Sequence, residues 1–328
     1  MTVQITIIGL GQVGSSIGLA LAGQKNIKRV GNDKDYETAR RAQKAGAVDE
    51  VKVNLPASVR EANVVILSLP LGEIRDTLRY ITQDLQEGTV ILDTAPSKGT
   101  VAAWTSEIIP QGRFYVGLTP SMGAGYLDGS DLGVESARAD LFSRGLFLVN
   151  APHETPGEAV KLATDLVNLL GAQAMIADTL EADGLLAFTH ILPQLASAAL
   201  VDATVNQPGW NEARKIAARP YAEATAAAAR HDEAKSLGEA ALGNRENTVR
   251  VLDAYMTSLQ RLRDDIEEGD RQQVVEFLED AVKARARWLN ERAKADWQTI
   301  ESVSDQSFGD RLGHMFMGSM MERMKKRK

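Results

Sequence analysis

Cysteine is absent from the 328-residue chain, which excludes disulfide bonds and catalysis by a thiolate. Histidine is also scarce, and the spacing of the four histidines shows no pair of the kind that metal sites use. They are His153, His190, His231 and His314. We therefore predict no metal site. The formal net charge of −7 argues against a nucleic-acid partner.

The sequence also shows neither the pattern of a leader peptide nor a long apolar run. The first residues enter a strand at once, without a basic segment followed by an apolar one. We find no apolar run of the roughly 20 residues that a membrane-spanning helix needs. These absences predict a cytoplasmic protein without a membrane partner. The length predicts about two domains, each able to bury its own core.

Glycine is concentrated near the N-terminus, directly after a run of β-branched residues. Residues 3–8 (VQITII) are typical of a buried parallel strand, and the sequence GLGQVG follows. Gly9 permits a tight turn, Gly11 lets the backbone approach a pyrophosphate, and Gly14 lets the next helix pack on the strand. The N–H groups at the start of that helix would face the phosphates. Strand, glycines and helix in this order predict a dinucleotide-binding site.

An acidic residue follows at the spacing that such a site requires. Asp33 ends the second strand, about 19 residues after Gly14, where a carboxylate can accept hydrogen bonds from the adenosine ribose. Because it would repel the 2′-phosphate of NADP, NAD is the predicted cofactor and NADP the less favoured one, although Lys34 weakens the preference. The carboxyl end of a later strand should also border the cofactor. The predicted cofactor-binding residues are Gly9, Gly11, Gln12, Val13, Gly14, Asp33, Ser68 and Pro70.

Strand and helix patterns alternate up to about residue 178, and only helical patterns follow. Further strands are predicted over 47–53, 63–70, 89–95, 115–120, 146–150 and 174–177. Helices are predicted over 182–205, 213–230, 245–267 and 271–295, with Gly269 and Asp270 as the turn between the last two. Pro193 should kink or break the first of these. The predicted fold class is α/β, with an N-terminal Rossmann doubly wound parallel sheet followed by an all-helical C-terminal domain.

Three regions follow from this pattern. We place an NAD-binding domain over 1–178, a helical domain for substrate binding and dimerisation over 179–300, and a basic, methionine-rich tail over 301–328. A basic amphipathic helix such as the tail is typical of membrane-surface or partner-binding segments. Its apolar stripe is short and contains three glycines, which favours a helix docked on the dimer.

Several segments resemble the prephenate/arogenate dehydrogenase family of tyrosine biosynthesis, in the same order and spacing over about residues 3–295. The segments that carry the resemblance are GLGQVGSSIG (9–18), LDTAPSKG (92–99), GLTPSMGAGYLDG (117–129), EADGLLAFTHILPQLASAAL (181–200), GWNEARKIA (209–217) and NRENTVRVLDAYMTSLQRLRDDI (244–266). The resemblance implies NAD(P)-dependent oxidative decarboxylation of prephenate or arogenate. It also implies a homodimer formed through the helical domain, with the active site between the two domains.

The resemblance assigns roles to residues outside the glycine turn, and it shows where this chain departs from the family. Thr119 stands where the family has a histidine that hydrogen-bonds the reacting hydroxyl, and Ser97 lies one position after the family's serine. Lys215 falls on the family's substrate-binding arginine, whereas Lys98 and His190 match the family. The predicted catalytic residues are His190, Thr119, Ser121 and Lys98, and the predicted substrate-binding residues are Lys215, Arg214 and Ser97.

Two alternatives remain open at this point. The same scaffold could oxidise another small hydroxy acid, or the loss of the family's histidine could leave a protein that binds NAD without catalysis. Several side chains also have purely structural interpretations. His190 could be an ordinary helix-face histidine, Arg214 and Lys215 a solvated helix face, and Thr119 and Ser121 caps at the end of a strand.

Overall fold

The computed structural model describes residues 2–127, 133–229 and 234–295, together with Trp297. Within these residues a single sheet of eight strands occupies the N-terminal half of the chain. In chain order its strands are β1 (Val3–Ile8), β2 (Ile27–Asn32), β3 (Glu50–Val51), β4 (Val64–Leu67), β5 (Val90–Asp93), β6 (Phe114–Ser121), β7 (Leu146–Asn150) and β8 (Gln173–Ile176). Each predicted strand segment therefore contains a strand, although β3 covers two residues where seven were predicted.

The strand order is β3-β2-β1-β4-β5-β6-β7-β8, the doubly wound arrangement in which the order reverses between β1 and β4. Six strands, β1 to β6, are mutually parallel. β7 runs antiparallel to β6, with Gly117 opposite Asn150 and Ser121 opposite Leu146. This reversal was not predicted, because strand direction depends on the partner strand rather than on local residue pattern. The predicted fold class is confirmed.

Helices cover both faces of the sheet and form the C-terminal half. They are α1 (Gln12–Ala20), α2 (Tyr36–Lys44), α3 (Leu55–Val59), α4 (Leu71–Ile81), α5 (Lys98–Ile108), α6 (Gly157–Leu169), α7 (Thr179–Leu186), α8 (Leu192–Val205), α9 (Trp210–Ile216), α10 (Arg219–Thr225), α11 (Ala234–Gly243), α12 (Arg245–Glu268) and α13 (Arg271–Lys294).

The two faces of the sheet form two separate cores, because successive strand residues point to opposite sides. Along β4, Val64 and Ile66 pack into the core beneath α1, α2 and α6. Val65 and Leu67 pack into the other core, which α3, α4 and α5 cover. A strand that is buried on both faces has to be apolar at every position, which explains the continuous runs of β-branched residues.

The predicted helix over 182–205 is one helical stretch with a break, as Pro193 suggested. α7 passes into a π-helical turn at Ala187–Ile191, and α8 follows with Pro193 in its first turn. Proline has no N–H to donate, so regular α-helical hydrogen bonding cannot continue through it.

The combined stretch Thr179–Val205 also corrects an expectation, because it is long and apolar enough to cross a membrane by length and composition. Only 22% of its most apolar window is buried in the described chain. Residues 184–201 contain no acidic residue, lysine or arginine, although His190, Pro193 and Gln194 lie within them. A single helix that meets this criterion is weak evidence for a membrane span.

The predicted helix over 213–230 is wrong as a single element. α9 and α10 replace most of it, and the backbone is extended at Ala217 and Ala218 between them. Pro220 in the first turn of α10 cannot donate to a carbonyl of the preceding helix, so the chain begins a new helix there. A single turn of 3₁₀ helix at Ala226–Ala229 follows α10.

The last two helices form an antiparallel hairpin, as predicted. Gly269 ends α12 with a φ of 74°, a conformation that favours glycine. Asp270 then caps α13 by accepting a hydrogen bond from the backbone N–H of Gln273 at 3.0 Å. The basic tail over 301–328 lies outside the described residues.

One ion pair fixes the outer strands of the sheet to the adjacent loop, and it generates a prediction about acid stability. The buried Arg29 guanidinium lies against Asp49, whose carboxylate also accepts the Arg29 backbone N–H at 2.7 Å. Burial raises the pKa of Asp49, but the hydrogen bonds from Arg29 outweigh it and hold the pKa below its ordinary value. The ion pair therefore stabilises the fold fully at pH values above the pKa of Asp49 in the unfolded chain. This stabilisation is lost as the pH falls through the lower pKa of Asp49 in the folded protein.

We expect Asp49→Asn to lower the free energy of unfolding at pH 7 by about 1 kcal/mol, discounted because the carboxylate is partly exposed. The deficit should shrink when urea unfolding is repeated at pH 3, because the Asp49 carboxyl has the higher pKa in the unfolded chain and protonation therefore favours unfolding of the wild type. Glu154→Gln, at an exposed carboxylate, is the control. An equal deficit at both pH values would contradict the assignment.

Candidate active site

The glycine turn between β1 and α1 has the backbone geometry that the sequence predicts. Gly9 has a φ of 90°, and a Cβ on it would lie 2.2 Å from the carbonyl oxygen of Ser68. A Cβ on Gly14 would lie 2.0 Å from the carbonyl oxygen of Gly9. These two contacts leave no room for a side chain at either glycine. The backbones that follow β1 and β4 and the backbone of α1 are therefore in direct contact.

Gly11 differs from its neighbours because its Cβ position faces open space, with nothing within 4 Å. It lies at the N-cap of α1, and no side chain caps the helix there. Gln12 and Val13, the other predicted cofactor residues in this turn, form the first helical turn. An uncapped helix start beside an open glycine is a cradle that a pyrophosphate can fill.

Asp33 lies directly after β2 and faces this turn. One carboxylate oxygen accepts the backbone N–H of Leu10 at 2.7 Å, and the other accepts that of Asp35 at 2.9 Å. Each oxygen retains a lone pair that a ribose hydroxyl could use. Asp33 is thus brought together with Gly9 and Gly11, as the spacing predicted.

Ser68 and Pro70 lie at the carboxyl end of β4, on the opposite side of the turn. The Ser68 backbone N–H donates to the carbonyl of Ile8 at 2.8 Å, which continues the pairing of β1 and β4 beyond the strand. Pro70 is the N-cap of α4. The residues around the cradle therefore fit a dinucleotide, with Asp33 at one end and the Ser68–Pro70 segment beside Gly9.

A buried polar cluster stands at the carboxyl end of the next strand, β5. The Asp93 carboxylate accepts hydrogen bonds from the Lys98 Nζ, at 3.1 Å to each oxygen, and from the Tyr115 hydroxyl at 2.6 Å. The Lys98 side chain is 0% exposed. Burial lowers the pKa of Lys98, and burial together with the Asp93 charge raises that of Tyr115. In this geometry the buried Lys98 ammonium compensates the Asp93 carboxylate, whereas the resemblance places Lys98 among the catalytic residues.

Ser97 is also fully buried, in the turn between β5 and α5. Its hydroxyl donates to the Thr100 hydroxyl at 2.8 Å. Gly243, at the end of α11, packs against both side chains, since a Cβ there would lie 2.2 Å from the Thr100 hydroxyl. The predicted substrate-binding hydroxyl therefore lies beneath α11 in the described chain.

Thr119 and Ser121 lie where β6 extends past β5, whose last paired residue is Asp93, opposite Gly117. Thr119 is buried, and its hydroxyl makes a long hydrogen bond of 3.4 Å to the carbonyl of Ala95. Ser121 is half-buried at the end of the strand. Both residues thus lie at the edge of the sheet where ligands of doubly wound folds bind.

His190 lies in the π-helical turn between α7 and α8 and is half-buried. Its Nδ1 is 3.1 Å from the hydroxyl of Thr189. Isolated π-helical turns within α-helices are frequent at functional sites, because they displace side chains from the regular helical positions. His190 lies in a turn of this kind.

Arg214 and Lys215 are exposed on the short helix α9. Arg214 donates to the carbonyl of Asn211 at 3.4 Å. The same helix lines an open groove of about 410 Å³ together with α8 and α10, and the groove includes Trp210, Ile216 and Tyr221. In a single chain these two cations are exposed to solvent and are not among the residues that line the groove.

Asp183 is a buried acid that the sequence interpretation missed. It lies on α7, and its carboxylate accepts the backbone N–H groups of Lys98 at 2.6 Å and Gly99 at 2.9 Å. Burial raises the pKa of Asp183, although these hydrogen bonds oppose the increase. The available signal was an acid seven residues before His190, which does not by itself reveal a contact with α5.

The glycine cradle, Asp33 and the doubly wound sheet define a dehydrogenase scaffold that binds a nicotinamide dinucleotide. Residues 17–176 match the family described as prephenate dehydrogenase, nucleotide-binding domain, and residues 178–280 match prephenate dehydrogenase, dimerization domain. The chain belongs to the prephenate dehydrogenase family and is an NAD-dependent oxidoreductase of that type. The predicted family, enzyme class and cofactor are confirmed.

Known proteins that resemble the chain agree with this family. A prephenate dehydrogenase of Lactococcus lactis subsp. cremoris is 26% identical over 86% of this chain and 76% of its own length. The structure of the A. aeolicus prephenate dehydrogenase, in complex with hydroxyphenyl propionate and NAD+, matches with a TM-score of 0.74 and 21% identity, covering 88% of this chain and 98% of that one. The Synechocystis arogenate dehydrogenase matches with a TM-score of 0.67 and 19% identity, over 87% and 99%.

Two glycines of the cradle provide a matched pair of substitutions. Gly11→Ala places a methyl group in open space and at a φ of −69° that alanine adopts readily, so the protein should keep its melting temperature. The methyl group would meet the pyrophosphate, and NADH affinity should fall on the order of tenfold or more. Gly14→Ala should instead destabilise the fold by about 1–3 kcal/mol, because the new methyl group meets the Gly9 carbonyl.

Fluorescence titration with NADH and thermal unfolding distinguish the two effects. Loss of stability in Gly11→Ala, or unchanged NADH affinity in that variant, would contradict the placement of the pyrophosphate.

Proposed function

We propose that this protein catalyses the NAD-dependent oxidative decarboxylation of prephenate or arogenate. The observation that carries the proposal is that both domains of the family are matched on a chain whose glycine cradle and Asp33 are intact. In the reaction the ring carbon that bears the hydroxyl loses a hydride, carbon dioxide leaves the ring, and the ring becomes aromatic. NAD+, when bound, accepts the hydride.

The chain's own residues have to orient the ring and polarise its hydroxyl, since aromatisation supplies the driving force. A threonine hydroxyl is no general base near pH 7, so Thr119 cannot replace the family's histidine in that role. We assign the polarising role to His190, the remaining family histidine. Thr119 and Ser121, at the end of β6, would orient the substrate beside the nicotinamide.

The carboxylates of the substrate require cations, and Arg214 and Lys215 are the predicted ones. Lysine keeps the charge of the family's arginine but loses its bidentate geometry. Lys98 supports the site indirectly, because its ammonium holds Asp93 and the turn between β5 and α5. Ser97 fulfils a similar packing role beneath α11.

We further propose a homodimer formed through the helical domain. The second matched family region is described as a dimerization domain. Large apolar side chains are exposed on the last two helices, among them Met256 and Leu259 on α12 and Leu278 and Val282 on α13. The exposed surface of the Thr179–Val205 stretch would be covered by the same association. A cytoplasmic location is proposed with it, because a dimer that buries this stretch exposes no membrane-spanning helix among the residues that the structure describes. Light scattering of the purified protein tests the dimer.

The decisive experiment follows NADH formation at 340 nm when purified protein and NAD+ are mixed with prephenate and, separately, with arogenate. Turnover with either substrate is the expected result. A small hydroxy-acid panel tests the alternative substrate class. Tight NADH binding without turnover on any substrate would instead indicate a protein that binds NAD without catalysis.

His190→Ala should lower kcat by a factor on the order of 100, the usual scale for loss of acid–base assistance. NADH affinity should be unchanged, because His190 lies outside the glycine cradle. His153→Ala, at an exposed loop histidine, is the matched control and should retain wild-type kcat. A loss below threefold in His190→Ala would remove His190 from the mechanism.

Asp33→Asn should lower the ratio of kcat/KM for NAD to that for NADP by on the order of tenfold, because the charge that repels a 2′-phosphate is gone. Asp35→Asn changes a neighbouring carboxylate, which caps α2 through the backbone N–H groups of Glu37 and Thr38, and serves as the control. An unchanged ratio in Asp33→Asn would refute the ribose contact.

A further inference from the structure

The start of α5 is capped by a carboxylate from another domain. Ser97 occupies the N-cap position, yet it makes no capping hydrogen bond, because its hydroxyl bonds to Thr100 instead. Asp183 of α7 accepts the first two helical N–H groups, those of Lys98 and Gly99, one on each carboxylate oxygen. A negative charge at this position also complements the positive end of the helix dipole.

The fit around this carboxylate is close. Asp183 is 8% exposed, and a Cβ on Gly99 would lie 2.8 Å from its Oδ2. The Asp183 backbone is held as well, since its carbonyl accepts the Asn244 side-chain N–H at 2.7 Å. Asn244 directly precedes α12, so the contact joins three parts of the chain: the turn after β5, α7 and the start of α12.

The two segments that Asp183 connects, the turn before α5 and the helix α7, both support the proposed active site. On one side, the turn before α5 supplies the Ala95 carbonyl to which the Thr119 hydroxyl bonds. On the other side, α7 continues without interruption into the π-helical turn that carries His190. Within the described residues, Asp183 is therefore a direct polar link between the Rossmann-domain turn and the helix that carries His190.

We propose that Asp183 is a positioning residue that sets the distance and orientation between His190 and the substrate-binding end of the sheet. It does not touch the substrate; it acts by holding α7 against the start of α5. The proposal rests on the proposed function, because the position of His190 matters for catalysis only if His190 acts on a bound substrate. Loss of the carboxylate would leave the cofactor cradle intact, since Gly9 and Asp33 directly follow β1 and β2 and Gly11 directly precedes α1.

The test compares Asp183→Ala and Asp183→Asn with Asp178→Ala, measured at a temperature at which all variants are folded by circular dichroism. Asp178 caps α7 itself, through the Glu181 N–H at 2.7 Å, and does not bond to α5. Its removal weakens the same helix without breaking the link between the domains. It therefore separates a general loss of helix stability from a loss of positioning.

Asp183→Ala should lower kcat on the order of 10- to 100-fold, the scale expected when a reacting group is misplaced by about 1 Å. The KM for NAD and the NADH affinity should stay within about twofold of wild type, since binding at the cradle is untouched. Asp183→Asn retains one acceptor oxygen and should recover part of the lost kcat. Asp178→Ala should retain wild-type kcat.

Equal kcat losses in Asp178→Ala and Asp183→Ala, or an unchanged kcat in folded Asp183→Ala, would overturn the proposal. Hydrogen exchange of the full-length protein, followed by mass spectrometry, gives an independent measurement. The peptide that contains the Lys98 and Gly99 amides should exchange faster in Asp183→Ala than in Asp178→Ala. Failure of the proposed function would appear differently, as absence of turnover in the wild type while this exchange difference persists.

Discussion

The carboxylate of Asp93 is fully buried at the carboxyl end of β5, and its charge has to be compensated inside the protein. Lys98 supplies the compensating charge, and the Tyr115 hydroxyl supplies a further hydrogen bond. Because Lys98 is the first residue of α5, this pairing also determines where α5 begins relative to the sheet. The N–H groups exposed at that helix start then require an acceptor, which Asp183 provides from the helical domain. One buried charge thus determines the geometry of the turn on which the two domains meet.

The cofactor cradle is built by a different constraint, the close approach of backbones. At Gly9 and Gly14 the neighbouring carbonyls leave no space for a Cβ, whereas Gly11 faces open space where a ligand can enter. The cradle depends on β1, β2 and β4, while the buried cluster depends on β5 and β6. Cofactor binding and substrate positioning therefore use neighbouring but separate parts of the same sheet edge.

Of the three departures that the family resemblance indicates, Ser97 and Thr119 lie at the substrate end of that edge, and Lys215 lies on α9. Thr119 can orient a substrate but cannot act as a base, and the proposed function therefore assigns the polarising role to His190 in the helical domain. A reaction divided in this way depends more strongly on how the two domains are held together. The Asp183 contact supplies such a link, and the π-helical turn that carries His190 lies directly beyond it.

The sequence by itself determined the features that depend on local pattern. The continuous β-branched runs identified the buried strands, the glycines and Asp33 identified the cradle, and Gly269 identified the turn between the last two helices. These features are local because a strand buried on both faces, a tight turn and a helix end each impose a residue type on a few adjacent positions.

Only the tertiary structure decided which groups face one another across the fold. Lys98 matches a family residue, yet its burial depends on Asp93 and Tyr115, which converge through strand pairing. Asp183 caps a helix that begins 85 residues earlier in the chain, and no local pattern specifies such an acceptor. The direction of β7 likewise depends on the strand beside it. Contacts between residues distant in sequence are set by how the sheet and helices pack. The cofactor site could therefore be predicted from local sequence, whereas the contacts that position the substrate could not.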